Sequence, residues 1–465
     1  MQSPRTFGEL RQSGYTLRNV REEMRANLLR HLQSGERLFP GILGFDQTVV
    51  PEIENAVLAG HHMVFLGERG QAKTRLIRGL TALLDAEVPA IKGCPINDRP
   101  DRPICKGCRE RARELGDELE IEWIDRARRY GEKLATPDVS IADLIGEVDP
   151  IKVAEGRYLA DEETIHYGLV PRTNRGIFAI NELPDLTEKV QVGLFNLMEE
   201  KDVQIKGYKV LLPLDVVIVA SANPEDYTSR GRIITPLKDR FDVQIRTHYP
   251  RTVEAELAIM EQEGPDLDRA ERPAHVPQFL KEVIAQLTFE ARACPDINQS
   301  SGVSVRVTIN NYESVISNAE KRAVRLGEKE VVPRPTDLHA LFASTAGKIE
   351  VEYSGEERTE NEIITRLLNR ALLSVFDRYL RLEDLASIIS HFESGWGVQV
   401  SDQTPAEQYL DDVQAIPGMR DAVRKLGPFE SPGFIAAAAE LIFEGLHLHQ
   451  KLNCERDGGR YSYGA

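Results

Sequence analysis

The segment HMVFLGERGQAKTRLIRGLTALL, His62 to Leu84, limits the fold more than any other part of this sequence. HMVFLG is a short apolar run of strand length, a glycine-rich turn follows at once, and Leu76, Ile77, Leu80, Leu83 and Leu84 then recur on one face of a helix. A strand, a tight turn and a helix in that order gather backbone N–H groups and a helix N-terminus around one anion. The turn is Gly67, Glu68, Arg69, Gly70, Gln71, Ala72, Lys73 and Thr74. It differs from GxxxxGK[ST] only at Ala72, and an alanine there is expected to keep a negative φ. In such a loop Lys73 reaches the β- and γ-phosphates of a nucleotide, and the Thr74 hydroxyl ligates Mg²⁺.

Two further apolar runs end in polar groups suited to the same phosphate. GIFAIN (Gly176 to Asn181) delivers Glu182, placed to polarise an attacking water. Asn181 stands where an aspartate is expected, which predicts a weaker dependence on magnesium. VVIVASAN (Val216 to Asn223) puts Asn223 beside the γ-phosphate. Open parallel sheets bind ligands at the carboxyl ends of their strands, and all three motifs fall there. Two arginines are candidates for the transferred charge, Arg240 in LKDRFD and Arg306 in SSGVSVR. An arginine on a γ-phosphate is worth about 10³ to 10⁵ in rate. If Arg240 serves a neighbouring subunit, catalysis requires a ring.

GERGQAKT, NRGIFAINELPDL, VVIVASANPED and LKDRF, in that order and spacing, resemble the AAA+ ATPases of the magnesium-chelatase I-subunit and MoxR-like branch. FPGILGFDQTVVPEIENAVLAGHHMVFLGERG is similar to the lead-in segment of the chelatase motor, with Ile42 and Leu43 near the adenine. PDVSIADLIGEVDP and KDVQIKGYKVLLP are similar to that branch's helix-2 insert and its hairpin before sensor 1. The resemblance covers about residues 36 to 325. It implies that Lys73 and Thr74 are the Walker A pair, Glu182 the Walker B base, Asn223 sensor 1, Arg240 the arginine finger and Arg306 sensor 2.

The fold so implied is an α/β P-loop AAA+ nucleotide-binding domain with a parallel sheet, followed by a helical lid and a helical C-terminal domain. The expected boundaries are an N-terminal helical segment (1–35), the AAA+ domain (36–250, with a polar insertion at 91–172), the lid (251–348) and a C-terminal helical region (349–465). ATP and Mg²⁺ are the implied cofactors, and a ring oligomer, hexameric, the implied assembly. No DxSxS motif is present, so a von Willebrand type A partner of the kind this branch uses would be a separate chain.

Cys94, Cys105 and Cys108 lie in CPINDRPDRPICKGC. A CxxC pair plus a third thiolate suits a structural Zn²⁺, an iron–sulfur cluster or free thiols, with His61, His62 and His166 as distant candidates for a fourth ligand. The stretch RERARELGDELEIEWIDRARRY reads as a charged helix and CERDGGRYSYGA as a short low-complexity ending.

The chain carries 58 basic and 74 acidic residues, a net charge of −16. That balance disfavours nucleic acid as a partner. No run approaches the length of a membrane span, no signal peptide is evident, and the few cysteines suit a reducing compartment, so the cytoplasm is the expected location. The sequence therefore predicts a motor that hydrolyses ATP to remodel a partner protein. Two rivals are an AAA+ nucleic-acid translocase or transcription activator, drawing on the lysines of KDVQIKGYKV, and a weakly hydrolysing nucleotide sensor, drawing on Ala72 and Asn181.

Overall fold

Apolar runs without polar alternation belong in sheets covered on both faces, and the runs read above occupy the centre of one. The computed structural model describes residues 3–149, 164–199, 202–205, 208–223, 232–267, 272–299, 301–351, 359–427, 431–457 and 460–465. The chain divides into two units, Met1–His248 and Tyr249–Ala465.

The strands of the first unit are β1 (Met63–Leu66), β2 (Glu87–Ile91), β3 (Ile121–Asp125), β4 (Tyr130–Leu134), β5 (Gly146–Val148), β6 (Ile165–Tyr167), β7 (Gly176–Asn181), β8 (Asp202–Ile205), β9 (Tyr208–Leu211), β10 (Val216–Ala222) and β11 (Val243–Arg246). Five of them form the main sheet in the order β11-β1-β10-β7-β4, all neighbours parallel. Every residue of β1, β7 and β10 is buried. Met63, Phe65, Ile177, Ala179, Val217 and Val219 share one core with Ile53, Leu76, Ile77 and Leu80. Val64, Leu66, Phe178, Ile180, Ile218 and Ala220 share the other with Val190, Leu194 and Leu197. Alternate residues thus serve opposite faces, and both faces are covered.

The N-terminal segment belongs to this unit. Asn19 caps the helix Val20–Ser34 in a capping box with Glu22. Val20, Met24 and Leu28 enter the core shared with β1. From the same helix Glu23 meets Arg129 in a bidentate pair at 2.9 and 2.5 Å, with side chains 4% and 1% exposed. Arg129 Nε also donates to the Arg175 carbonyl at 2.7 Å, and Glu23 Oε1 accepts from the Asp85 N–H at 2.6 Å. Arg129 lies next to the start of β4 and Arg175 next to the start of β7, so this one pair ties the N-terminal helix to the starts of two strands.

The charged stretch after Cys108 departs from its helical reading. The helix Lys106–Leu115 stops at Gly116, whose φ is +53°. β3 then pairs antiparallel with β2, and β4 becomes an edge of the main sheet beside β7. Strand pairing overrides helix-favouring composition here: Ile121 and Ile124 are buried while Glu120 and Asp125 stay exposed. The polar segment 91–172 therefore contributes a strand to the main sheet. Antiparallel pairs β5–β6 and β8–β9 complete the unit. The β8–β9 pairing matches the hairpin reading, while Lys201 and Lys206 of that hairpin lie outside the described residues.

The second unit is mainly helical, with long helices at Gln278–Ala293, Val305–Leu326, Glu360–Tyr379 and Pro432–Leu448. One core runs from Met260 to Tyr463. The C-terminal ending is ordered strand: β12 (Val398–Ser401), β13 (Asn453–Asp457) and β14 (Arg460–Gly464) form a sheet in the order β12-β14-β13. Tyr463 is buried and donates to Glu444 at 2.5 Å. The tyrosines of the ending are what seat it, a signal that a compositional reading passes over.

Candidate nucleotide site

The register of the parallel strands brings three tips to one edge. Leu66 lies opposite Ala222, Ala220 opposite Ile180, and Asn181 opposite Leu134. The residues just beyond these tips, Gly67, Asn223 and Glu182, therefore emerge side by side.

They are joined by hydrogen bonds. Lys73 Nζ, 7% exposed in residue terms, donates to Asn223 Oδ1 at 2.6 Å. Asn223 Nδ2 donates in turn to Glu182 Oε2 at 3.0 Å. Lys73 Nζ also donates to the Glu68 carbonyl at 3.0 Å and to the Gly67 carbonyl. One ammonium, one amide and one carboxylate thus form a line across the tips of β1, β10 and β7.

The turn is built for close approach. Gly70 has φ +78°. A Cβ on Gly67 would sit 1.9 Å from Thr247 Oγ1 and 2.3 Å from Gln71 Oε1. Those two atoms are themselves bonded at 2.8 Å, and Gln71 Nε2 donates to Glu68 at 3.3 Å. Thr247, just beyond β11, was not legible as a site residue because it lies far along the chain.

Ala72 corrects an expectation. It does not keep a negative φ but lies in the left-handed region at φ +54°, ψ +15°, immediately before the helix Lys73–Gly79. The conformation that glycine adopts freely is held here by an alanine, at a cost of about 1–2 kcal/mol. Its methyl packs against the core below the turn. Glu182 is also left-handed, at φ +56°, ψ +49°. Strained residues concentrate where surrounding structure fixes a group for function.

Asn181 is held as an amide by its surroundings. Its Nδ2 donates to Glu132 Oε1 at 2.6 Å, and its Oδ1 accepts from Ser221 Oγ at 3.4 Å. Ser221 Oγ also accepts the Glu182 N–H at 3.2 Å. Glu132 is gripped by Arg78 through bonds of 2.8 and 3.0 Å, which hold its carboxyl below the usual carboxylate range. Nothing in the sequence alone marks Glu132 or Ser221 as neighbours of Asn181. Glu132 sits in a stretch read as polar insertion, and only the β4–β7 pairing brings it to Asn181.

The remaining candidates are placed differently. Ile42 is buried in the core shared with β1, and Leu43 is half-buried. Thr74 lies in the first turn of the helix after Lys73, and Arg69 is exposed. Arg240 pairs with Glu199 at 2.8 Å and lies over the Phe195 ring, so its described partners are not the strand-tip groups. Arg306 is exposed on the first turn of Val305–Leu326 in the second unit, and its N–H donates to Ser304 Oγ at 3.2 Å.

Cys94, Cys105 and Cys108 converge, all buried, but the group beside them is Asp98 rather than any of the three histidines considered. His62 Nδ1 accepts from the Ile218 N–H at 2.9 Å, and His166 Nε2 faces Arg172 at 2.8 Å.

Five parallel strands in this order, a lysine-bearing turn after β1 and polar tips on β10 and β7 define an α/β P-loop nucleotide-binding domain of AAA+ type, with a helix-rich region after it. Relatives are found in the magnesium-chelatase and Lon groups. The chain is 26% identical over 213 residues to a magnesium-chelatase subunit ChlI homolog of Methanocaldococcus jannaschii, covering 44% of this chain and 53% of that protein. It is 24% identical over 241 residues to an archaeal Lon protease of Thermococcus kodakarensis, covering 48% of this chain and 36% of that one. The chain thus spans about half or less of these curated relatives. Among solved structures, a putative ATPase from Cytophaga hutchinsonii superimposes with a TM-score of 0.31 at 17% identity, over 77% of this chain and 97% of the other. No family profile matches the chain. The chain is related to the AAA+ ATPases of the magnesium-chelatase I-subunit branch. No helix among the described residues is long and apolar enough to cross a membrane.

Proposed function

We propose that this chain hydrolyses ATP and uses the resulting movement to remodel a partner protein. The observation that supports the reading is the bonded line Lys73–Asn223–Glu182 at the edge of the turn. The turn and its two strand tips offer what a triphosphate needs: backbone N–H groups, a lysine ammonium, an amide and a carboxylate. Lys73 binds the terminal phosphates as its carbonyl contacts yield to stronger charge-assisted ones. Glu182 holds the attacking water and accepts its proton, and Asn223 fixes the carboxylate's direction. Thr74 and Asn181 would hold Mg²⁺, which when bound neutralises charge on the phosphate oxygens. Ile42 and Leu43 flank the base. Arg240, turned toward Glu199, serves the site of a neighbouring subunit in a ring, a hexamer by analogy with AAA+ motors, and Arg306 reports nucleotide state to the helical region. A separate protein with a von Willebrand type A domain is the proposed partner.

The Glu182→Gln variant tests this directly. It is expected to bind ATP as tightly as the native chain while turnover falls at least about 100-fold. Turnover equal to the native value would remove Glu182 from the mechanism. Failure of both proteins to bind ATP would remove the nucleotide reading itself.

A further inference from the structure

We propose that Cys94, Asp98, Cys105 and Cys108 form a mononuclear zinc site that clamps the loop between β2 and the helix Lys106–Leu115. The four side chains are buried, and their donor atoms lie within 4.8 Å of one another. Three thiolates at the Zn–S distance of about 2.3 Å stand about 3.8 Å apart on a tetrahedron, so the cluster is of single-ion size. An iron–sulfur cluster spreads its ligands over several metal atoms and holds them further apart.

Asp98 supplies the independent observation. It is 1% exposed. Its Oδ2 accepts from the Ile104 and Cys105 N–H groups at 3.1 and 3.0 Å. Its Oδ1 is buried with no hydrogen-bond partner among the described residues. A buried carboxylate oxygen left unpaired is costly, and a cation beside it removes that cost. The two bonds on Oδ2 orient the carboxylate as groups behind a metal ligand do.

The thiols are supported in the same manner. The Asp98 N–H donates to Cys94 Sγ at 3.3 Å. Arg111 reaches Cys108 Sγ at 3.8 Å while donating to the Lys92 carbonyl at 2.9 Å. These donors offset the negative charge that three thiolates and a carboxylate retain around a dication. Zn²⁺ fits the set because it accepts thiolate and carboxylate together in a tetrahedron without redox chemistry.

The clamp would hold more than its own loop. Asn97 Nδ2 donates to the Arg172 carbonyl and Asn174 Nδ2 to the Ile96 carbonyl, both at 2.9 Å. The zinc loop is thereby bolted to the turn that leads into β7, the strand carrying Asn181 and Glu182.

The test is metal analysis of the full chain, purified with its thiols reduced and then equilibrated with Zn²⁺ alone. The expected result is one equivalent of zinc per chain, with X-ray absorption showing three sulfurs at about 2.3 Å and one oxygen at about 2.0 Å. Cys105→Ser should lower zinc content at least tenfold, while Cys454→Ser, outside the cluster, should leave it unchanged. Should Cys105→Ser fail to fold, the absorption spectrum of the native chain still decides. Zinc below about a tenth of an equivalent, iron in its place, or an Asp98→Ala chain with an unchanged zinc spectrum would overturn the assignment. None of these readings depends on ATP, so its failure and that of the nucleotide site remain separate results.

Discussion

The Glu23–Arg129 pair is the sharpest place to test how the nucleotide-binding unit is held together. Glu23→Ala would leave a guanidinium buried with a single bond to the Arg175 carbonyl, and would strip the Asp85 N–H of its acceptor. Removing one partner of a buried pair costs about 3–5 kcal/mol, most of it the penalty of the charge left behind. For a unit the size of Met1–His248, the unfolding entropy is about 0.5 kcal/mol per degree, so the transition should fall by about 6–10 °C. The assay is calorimetry or circular dichroism on the full chain, following the transition of the first unit with and without ATP. The double variant Glu23→Leu/Arg129→Met removes both buried charges and should recover part of the loss, while the Asp85 N–H and the Arg175 carbonyl still lose these partners. Single variants shifted by less than about 2 °C, or a double variant as unstable as the two singles added together, would refute the reasoning.

Other perturbations follow from the site and the sheet. Asn181→Asp would set a carboxylate against Glu132 where the amide now donates, and should destabilise the unit by about 1–3 kcal/mol in denaturant titrations without raising turnover. Lys73→Ala should weaken ATP affinity by about 10- to 150-fold in calorimetric binding, the worth of one or two charge-assisted bonds. Gly67→Ala should lower affinity too, because its Cβ would break into the Thr247–Gln71 bond; unchanged affinity would mean that the turn opens at no cost. Burial, with the Arg21 charge beside it, lowers the His62 pKa to about 4 in the folded chain. Unfolded His62 binds its proton near pH 6.5, so its contribution is intact above that pH and is lost as pH falls toward 4, up to about 3 kcal/mol. His62→Gln should flatten this part of the stability profile.

Much of the site was legible because it rests on local order. A buried run, a glycine turn and an amphipathic helix announce themselves through neighbouring residues, and Lys73, Glu182 and Asn223 follow directly from such runs. What escaped the sequence depends on pairing across long separations. β4 hides in a charged stretch because nothing within it signals a partner as distant as β7, and Glu132 was hidden with it. Asp98 carries no signal in the sequence, since a lone acid among polar residues reads as surface, and only the fold of its loop brings it beside three thiols. The left-handed Ala72 escaped for a different reason: the sequence says which residue is present, whereas the turn dictates the angle it must accept. The ending at β13 and β14 does not read as strand because Gly and Ser dilute a pattern whose weight lies in its tyrosines.

The parallel alignment of β1, β10 and β7 also sets where this molecule can tolerate changes in length. An insertion or deletion of one residue within any of the three would invert which side chains face each core and carry its tip group out of the line. Length can vary only where the chain leaves the sheet between strands, and the stretch from β4 to β7 is one such place. New recognition surfaces can be grafted onto those excursions while the three polar groups keep their mutual spacing.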